Sequence, residues 1–218
     1  MRPRDLARYL EDQGWRRSPA LAPSGSSEVS DGSLAALART AQGCTLCRLH
    51  EKRQTVVFGE GDPHAALMFI GEGPGAEEDR TGRPFVGQAG RLLDEMIFAM
   101  GFERREVYIA NVVKCRPPGN RDPREDEVAA CSAFLDRQIE LIAPRVIVAL
   151  GKPAARRLTG SNKPMGALRG HWASYRGTPL MPIFHPAYML RTPKAKSEAW
   201  KDLKQVMRRL KKDSPLNS

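Results

Sequence analysis

Four cysteines are the side chains of this sequence best suited to hold a metal centre. They are Cys44, Cys47, Cys115 and Cys131, so the first two form a C-x2-C pair and the others follow far downstream. Four cysteines in 218 residues, two of them so close together, indicate metal or cluster ligation rather than a disulfide framework. Thiolates bind zinc as well as the irons of a cluster, and the cysteines alone leave both open.

A glycine-rich segment, GEGPGAEEDRTGRPF at 71–85, contains a second set of candidates. Its glycines loosely fit a dinucleotide-binding pattern, but an acidic run follows where a phosphate would need a helix N-terminus free of negative charge. Phosphate binding is therefore not expected. The carboxylates Glu72 and Glu78 could orient a water, line a small pocket or begin a solvated helix, and Phe85 could be core or stack on a planar base.

Two asparagines and a histidine form the third set. Asn111 and Asn120 lie in NVVKCRPPGNRDP (111–123), and His185 opens HPAYMLR (185–191). An asparagine amide can donate to and accept from one planar edge, although such residues are more often turn formers, and a lone histidine is more often structural. The residues by themselves leave these alternatives open.

Short apolar runs must position these side chains. The runs at 66–71, 107–112, 145–150 and 179–184 alternate with longer amphipathic segments near 88–100, 124–142 and 196–211. This alternation predicts an α/β fold, a three-layer α/β/α sandwich with a central four-stranded parallel sheet. The candidate motifs each follow one of the runs, and the carboxyl ends of parallel strands are where such sheets bind ligands.

Three segments are predicted along the chain. Residues 1–32 read as an N-terminal extension with a flexible linker rich in Ser, Pro, Ala and Gly. Ser33 is a plausible N-cap, so the ordered domain is expected to span 33–212, followed by a disordered tail at 213–218.

The net charge of the chain indicates what kind of partner it could bind. Thirty-five Lys and Arg against 25 Asp and Glu give a net charge of +10, which suits a polyanion such as nucleic acid, although a basic protein without that role fits equally well. No apolar run is long enough to span a bilayer and the N-terminus lacks the apolar core of a signal peptide. We expect a cytoplasmic, nucleoid-associated protein without a membrane partner, and a monomer because no exposed heptad pattern is present.

Taken together, GEGPG…GRPF, NVVKCRPPGNR, IAPRVIVALG and HPAYMLR, with cysteines spaced C-x2-C-x67-C-x15-C, resemble the family 4 uracil-DNA glycosylases. The resemblance runs from about Cys44 to about Arg209. It implies a [4Fe-4S] cluster on the four cysteines, remote from the chemistry. It also implies a monofunctional enzyme of base excision repair, which flips uracil out of DNA and hydrolyses its N-glycosidic bond, leaving an abasic site.

The resemblance also implies roles for the residues of the uracil pocket. Phe85 would stack on the flipped base, and Asn111 would read the uracil edge, which cytosine presents with donor and acceptor reversed. Glu78 matches the position that excludes the thymine methyl group. His185 would donate to uracil O2, helped by backbone N–H groups near Gly73.

Further implied roles concern the water and the DNA. Glu72 and Asn120 would position the attacking water, while Gly73 stands where relatives without the cluster have an aspartate, so a strong general base is not expected. Met189, Leu190 and Arg191 would form a wedge entering the minor groove.

Two other functions are considered. One is a non-catalytic, DNA-binding iron-sulfur module, which the set of Asn111, His185 and Phe85 argues against, because a bare binder needs no base-reading pocket. The other is a glycosylase acting mainly on another deaminated base. A covalent variant among relatives carries an inserted RRIH-like loop, which PPGNRDPREDE does not contain.

Overall fold

A computed structural model describes residues 33–212, with the side chain of Lys212 left out. The predicted segments 1–32 and 213–218 lie outside the described residues. Ser33 is the N-cap of the first helix, as predicted, since its hydroxyl accepts from the backbone N–H of Ala36 at 3.2 Å.

Six strands form one mixed sheet in the order β1-β3-β2-β4-β6-β5. The strands are β1 Glu60–Gly61, β2 Leu67–Gly71, β3 Tyr108–Asn111, β4 Val146–Leu150, β5 Ala173–Tyr175 and β6 Thr178–Ile183. The four central strands β3, β2, β4 and β6 are parallel, and the short edge strands β1 and β5 are antiparallel to their neighbours. The predicted four-stranded parallel sheet is confirmed, and the two edge strands extend it.

Eight α-helices lie within the described residues. They are α1 Leu34–Gln42, α2 Ala76–Thr81, α3 Gln88–Ala99, α4 Glu125–Ile142, α5 Lys152–Thr159, α6 Met165–Leu168, α7 Pro186–Arg191 and α8 Pro193–Lys212. Three short 3₁₀ helices occur at Arg48–Glu51, Arg104–Glu106 and Pro118–Asn120. Among these helices, none is long and apolar enough to cross a membrane.

The sheet separates two hydrophobic cores. Along β2, Met68 and Ile70 pack into the core shared with α1, α4, α5 and α6, whereas Leu67 and Phe69 pack into the core shared with α3, α7 and α8. Successive strand side chains point to opposite faces, so a strand buried on both faces is apolar throughout. The predicted three-layer sandwich is therefore confirmed.

Candidate active site

The polar motifs meet at the carboxyl ends of the central parallel strands. Gly71 at the end of β2 is in register with Asn111 at the end of β3. A Cβ atom on Gly71 would lie 2.5 Å from Asn111 Oδ1 and 2.5 Å from Phe85 Cζ, so only glycine permits this approach. Gly71 thus forms the floor on which Asn111 and Phe85 meet.

Asn111 is fully enclosed, with 1% of its surface exposed. Its side-chain Oδ1 is the one buried side-chain nitrogen or oxygen within residues 33–212 that has no hydrogen-bond partner. A buried acceptor left unpaired costs about 1–3 kcal/mol, so such atoms are rare and call for a reason. A donor supplied by a ligand would satisfy it.

Phe85 adopts a backbone conformation uncommon for an aromatic residue, with φ of +51°. Its carbonyl accepts from Arg104 at 3.2 Å and also packs against Gly90 of α3, where a Cβ would lie only 1.9 Å away. Strained residues of this kind persist when their surroundings fix them, and they cluster at functional sites. The conformation leaves the Phe85 ring 5.7 Å from the His185 ring, measured between centroids.

His185 is the N-cap of α7, and its Nδ1 accepts from the backbone N–H of Ala187 at 3.1 Å. Burial lowers the pKa of His185 to about 4, with Arg191 lowering it further and Glu78 opposing the shift. The ring is therefore neutral at pH 7. Because Nδ1 accepts, the single ring proton lies on Nε2, which becomes a neutral hydrogen-bond donor.

Glu78 is held by three backbone N–H groups. Its Oε1 accepts from Val86 at 2.8 Å and Gly87 at 2.9 Å, and its Oε2 accepts from Gly75 at 3.1 Å. The carboxylate thus joins the start of α2 to the two residues that follow Phe85. Its orientation is fixed by the loop.

Glu72 follows Gly71 directly and is half-buried. Burial raises the pKa of Glu72 to about 7, and the negative charge of Asp122 raises it further. Asp122 belongs to the same loop as Asn120, so this loop lies near Glu72. Asn120 itself is exposed, and its Oδ1 accepts from Arg116 Nε at 2.8 Å.

Helix α7 requires one correction to the predicted wedge. Met189 is 1% exposed and packs in the core with α3 and α8, so it cannot enter DNA as proposed from the sequence. Leu190 is 42% exposed and Arg191 is exposed, in keeping with a surface role. Tyr188, which sequence reasoning missed, is 41% exposed beside Leu190 and packs against Phe184 at 5.0 Å between ring centroids.

The four cysteines line one cavity between α1, α4 and the loop after β3. Among the described side chains, no three His, Cys, Asp or Glu residues have the geometry for a single metal ion. A polynuclear cluster takes one thiolate at each of four separate irons, and four cysteines arranged around one cavity fit that requirement. Burial raises the pKa of Cys115 to about 11, so the thiolate form depends on a bound cation.

Two cations that the sequence analysis did not single out line the same cavity. Arg53 donates to Cys115 Sγ at 3.3 Å and to the carbonyl of Cys44 at 2.8 Å. Lys114 is buried, and its Nζ donates to the backbone carbonyl of Asn111 at 2.8 Å. Burial lowers the pKa of Lys114 to about 8, which leaves it mainly charged at pH 7. A lysine inside the apolar stretch VVKC was the sequence signal that could have identified it.

Comparison with known proteins gives consistent matches. The model of the uracil DNA glycosylase superfamily matches residues 58–204. A type-4 uracil-DNA glycosylase of Thermotoga maritima is 51% identical over 150 residues, covering 68% of this chain and 78% of that protein. The type-4 enzyme of Sulfurisphaera tokodaii is 45% identical over 173 residues (75% and 78%), and that of Archaeoglobus fulgidus 40% over 182 residues (80% and 92%). The range 58–204 contains all the strand ends described above.

Proposed function

Because this chain belongs to the uracil DNA glycosylase superfamily, with relatives of the type-4 group, we propose how its side chains excise uracil. The protein is a uracil-DNA glycosylase of DNA repair, a hydrolase of the N-glycosidic bond. Hydrolysis is monofunctional, because a water molecule, and no side chain of the enzyme, adds to the sugar when the bond to uracil breaks.

The unpaired Oδ1 of Asn111 is the observation that carries the proposal. Uracil N3–H donates to this oxygen, and the amide nitrogen donates to uracil O4. Cytosine presents an acceptor at N3 and a donor at N4, so both contacts become repulsive. A pocket that leaves buried groups unpaired with the wrong base discriminates by about 10⁴–10⁵.

Phe85 and Glu78 complete the selection of the base. The Phe85 ring stacks on the flipped uracil, replacing part of the stacking lost from the duplex. The Glu78 carboxylate, oriented by N–H groups of the residues after Phe85, stands where the thymine methyl group would enter. A group held by three hydrogen bonds cannot swing aside, so thymine is rejected sterically.

His185 stabilises the leaving group. As the bond breaks, negative charge develops on the uracil ring, and Nε2–H donates to O2, with backbone N–H groups near Gly73 assisting. A neutral donor needs no counter-charge in the pocket, and one donor of this kind is typically worth about 10²–10³ in rate.

Glu72 and Asn120 position the attacking water. Glu72, whose pKa burial raises to about 7, accepts a hydrogen bond from the water as a carboxylate and offsets the positive charge that develops on the sugar. The Asn120 amide contacts the same water from the loop after β3, where Arg116 Nε donates to its Oδ1. The water thereby adds to the sugar carbon that loses uracil, and the product is an abasic site.

Contacts with DNA are assigned to α7 and α8. Leu190 enters the space left by the flipped nucleotide, and Arg191 contacts a flanking phosphate. We propose that the protein acts on the DNA of the nucleoid and that it does so as a monomer. Sedimentation with and without a uracil-containing oligonucleotide would measure its oligomeric state. A dimer in both samples would overturn the monomer.

The four cysteines, in this proposal, hold a [4Fe-4S] cluster. When bound, it supplies a cross-link between the segment at 44–47, the loop after β3 and α4, away from the base pocket. Iron and sulfide analysis of protein purified without air should give four of each per chain; zinc with no sulfide would overturn the assignment.

Excision from a labelled oligonucleotide with one uracil tests the function. The control strands carry thymine, cytosine or hypoxanthine at the same position. Release of uracil alone supports the proposed pocket. Release mainly of hypoxanthine would identify a glycosylase for another deaminated base, and DNA binding without release would identify a non-catalytic module.

A further inference from the structure

Lys114 lies between the base pocket and the cysteine cavity. It is 2% exposed, and the chain places it three residues after Asn111 and next to Cys115. Its Nζ donates to the backbone carbonyl of Asn111 at 2.8 Å and to Gln138 Oε1 at 2.5 Å. One ammonium therefore joins the strand end that carries Asn111 to helix α4.

Helix α4 connects the same ammonium to the cysteines. Gln138 and Cys131 are seven residues apart on α4 and so lie on one face of the helix. Gln138 is itself fixed, because its Nε2 donates to the carbonyl of Phe58 at 2.9 Å and to the Tyr108 hydroxyl at 3.3 Å. The position of the Lys114 ammonium is therefore fixed by two acceptors, the Asn111 carbonyl and the Gln138 side chain, and the latter is itself held by hydrogen bonds.

A buried ammonium needs a compensating negative charge, or it costs several kcal/mol. Within residues 33–212, no carboxylate forms an ion pair with Lys114. The groups beside it that become anionic on ligation are the cysteines: its backbone N–H donates to Cys131 Sγ at 3.4 Å, and it lines the cavity with all four. Four thiolates outnumber the positive charge of a cluster core, so the ligated site is anionic, and Arg53 and Lys114 offset that charge.

We propose that Lys114 is a positioning residue: the anionic cysteine site holds its ammonium, and the ammonium holds the backbone of Asn111 in the orientation that reads uracil. The inference rests on the base-reading role of Asn111 and on the cluster proposed above. It gives the cysteine site a second effect, on base recognition, beyond cross-linking the chain. Arg53, whose hydrogen bonds go to Cys115, Cys44 and Gln42, lacks this connection.

Two substitutions in the iron-loaded protein separate these effects. Lys114→Met and Arg53→Met each remove one cation from the cavity, but only Lys114→Met removes the hydrogen bond to Asn111. The midpoint potential of the cluster and the inhibition constant of free uracil are measured for both. Both midpoints should move to more negative values, because a lost positive charge disfavours the added electron. Uracil affinity should fall about tenfold further in Lys114→Met than in Arg53→Met, the equivalent of one hydrogen bond from a charged group.

Equal changes in uracil affinity in the two variants would overturn the proposal, and so would an unchanged midpoint in Lys114→Met. If Lys114→Met fails to retain iron, Gln138→Leu serves instead, since it keeps the charge and removes one anchor of the ammonium. Its midpoint should match the wild type while uracil affinity falls severalfold; unchanged affinity would refute the inference. Wild-type protein that neither binds nor excises uracil would instead be a failure of the proposed function.

Discussion

Burial shifts two ionisable side chains of the site in opposite directions. It raises the pKa of Glu72 to about 7 and lowers that of His185 to about 4. In each case burial disfavours the charged form, which is the carboxylate of Glu72 and the imidazolium of His185. The histidine is therefore a constant neutral donor near pH 7, whereas the glutamate changes its charge there.

The first prediction concerns pH. The single-turnover rate of uracil release should rise as pH increases through about 7 and then level off, because Glu72 acts as a carboxylate and is protonated below that value. Glu72→Gln should be slower by about 10²-fold and flat between about pH 6 and 8. Glu77→Gln, an exposed neighbour, should keep the wild-type profile. An inflection near 7 that survives in Glu72→Gln would assign it to another group.

The second prediction concerns base reading. Asn111→Asp should reduce uracil excision and make cytosine excision measurable, because a buried, protonated aspartic acid can donate to cytosine N3 and accept from its N4 amine. Asn111→Ala, which offers neither contact, should lose uracil excision without gaining cytosine excision. Unchanged excision of both bases by Asn111→Asp would show that this side chain does not read the edge.

Single residues were predictable to different degrees. Asn111 ends β3 and His185 follows β6 by two residues, so the parallel strands place both at the carboxyl-end edge of the sheet, as expected. The predicted wedge includes the buried Met189, because the exposed face of a six-residue helix cannot be derived from the sequence HPAYMLR alone. The packing of α7 against the core selects Leu190 over Met189.

At the scale of the elements, the central strands were predictable because each is buried on both faces and therefore continuously apolar. The edge strand β1, with two residues, and the edge strand β5, with three, are too short to show a period. The positive φ of Phe85 was also hidden, since the hydrogen bond that its carbonyl accepts comes from Arg104, 19 residues further along the chain. The local sequence pattern thus predicts the central strands, whereas contacts between residues far apart in sequence decide the loop conformations.

The third prediction concerns the loop that Glu78 closes. Glu78→Ala removes the acceptor of three backbone N–H groups and should lower the free energy of unfolding by about 2–3 kcal/mol. The variant should also release thymine faster, since the loop that excludes the methyl group is loosened. Urea unfolding and excision assays measure the two effects. Glu77→Ala, which loses only an exposed pair with Arg80, should cost less than about 0.5 kcal/mol. A Glu78→Ala protein as stable as Glu77→Ala would contradict this account.

At the scale of the whole molecule, the two helical layers carry different candidate sites. The layer with α1 and α4 holds the cysteines, whereas the layer with α7 and α8 carries the proposed DNA contacts. Helix α8 begins two residues after α7 ends and exposes one basic face, formed by Lys194, Lys201, Lys204 and Arg208. Their spacing places them in a row about 21 Å long that begins beside the wedge. Four of the 35 Lys and Arg residues of the chain thus form one exposed row, which suits contacts with successive phosphates.

The fourth prediction follows from that row. DNA affinity is measured at several salt concentrations, and its logarithm is plotted against the logarithm of the salt concentration. The triple variant Lys201→Gln, Lys204→Gln, Arg208→Gln should make the slope of this plot shallower by about 2–3, since each phosphate contact contributes about 0.9. The matched control is Arg39→Gln, Arg48→Gln, Lys52→Gln, which removes three exposed cations from the cysteine-bearing layer. Both variants lower the net charge equally. A fall in slope confined to the α8 variant places the DNA along that helix, whereas equal slopes in the two would mean that affinity follows total charge and that the row makes no direct contact.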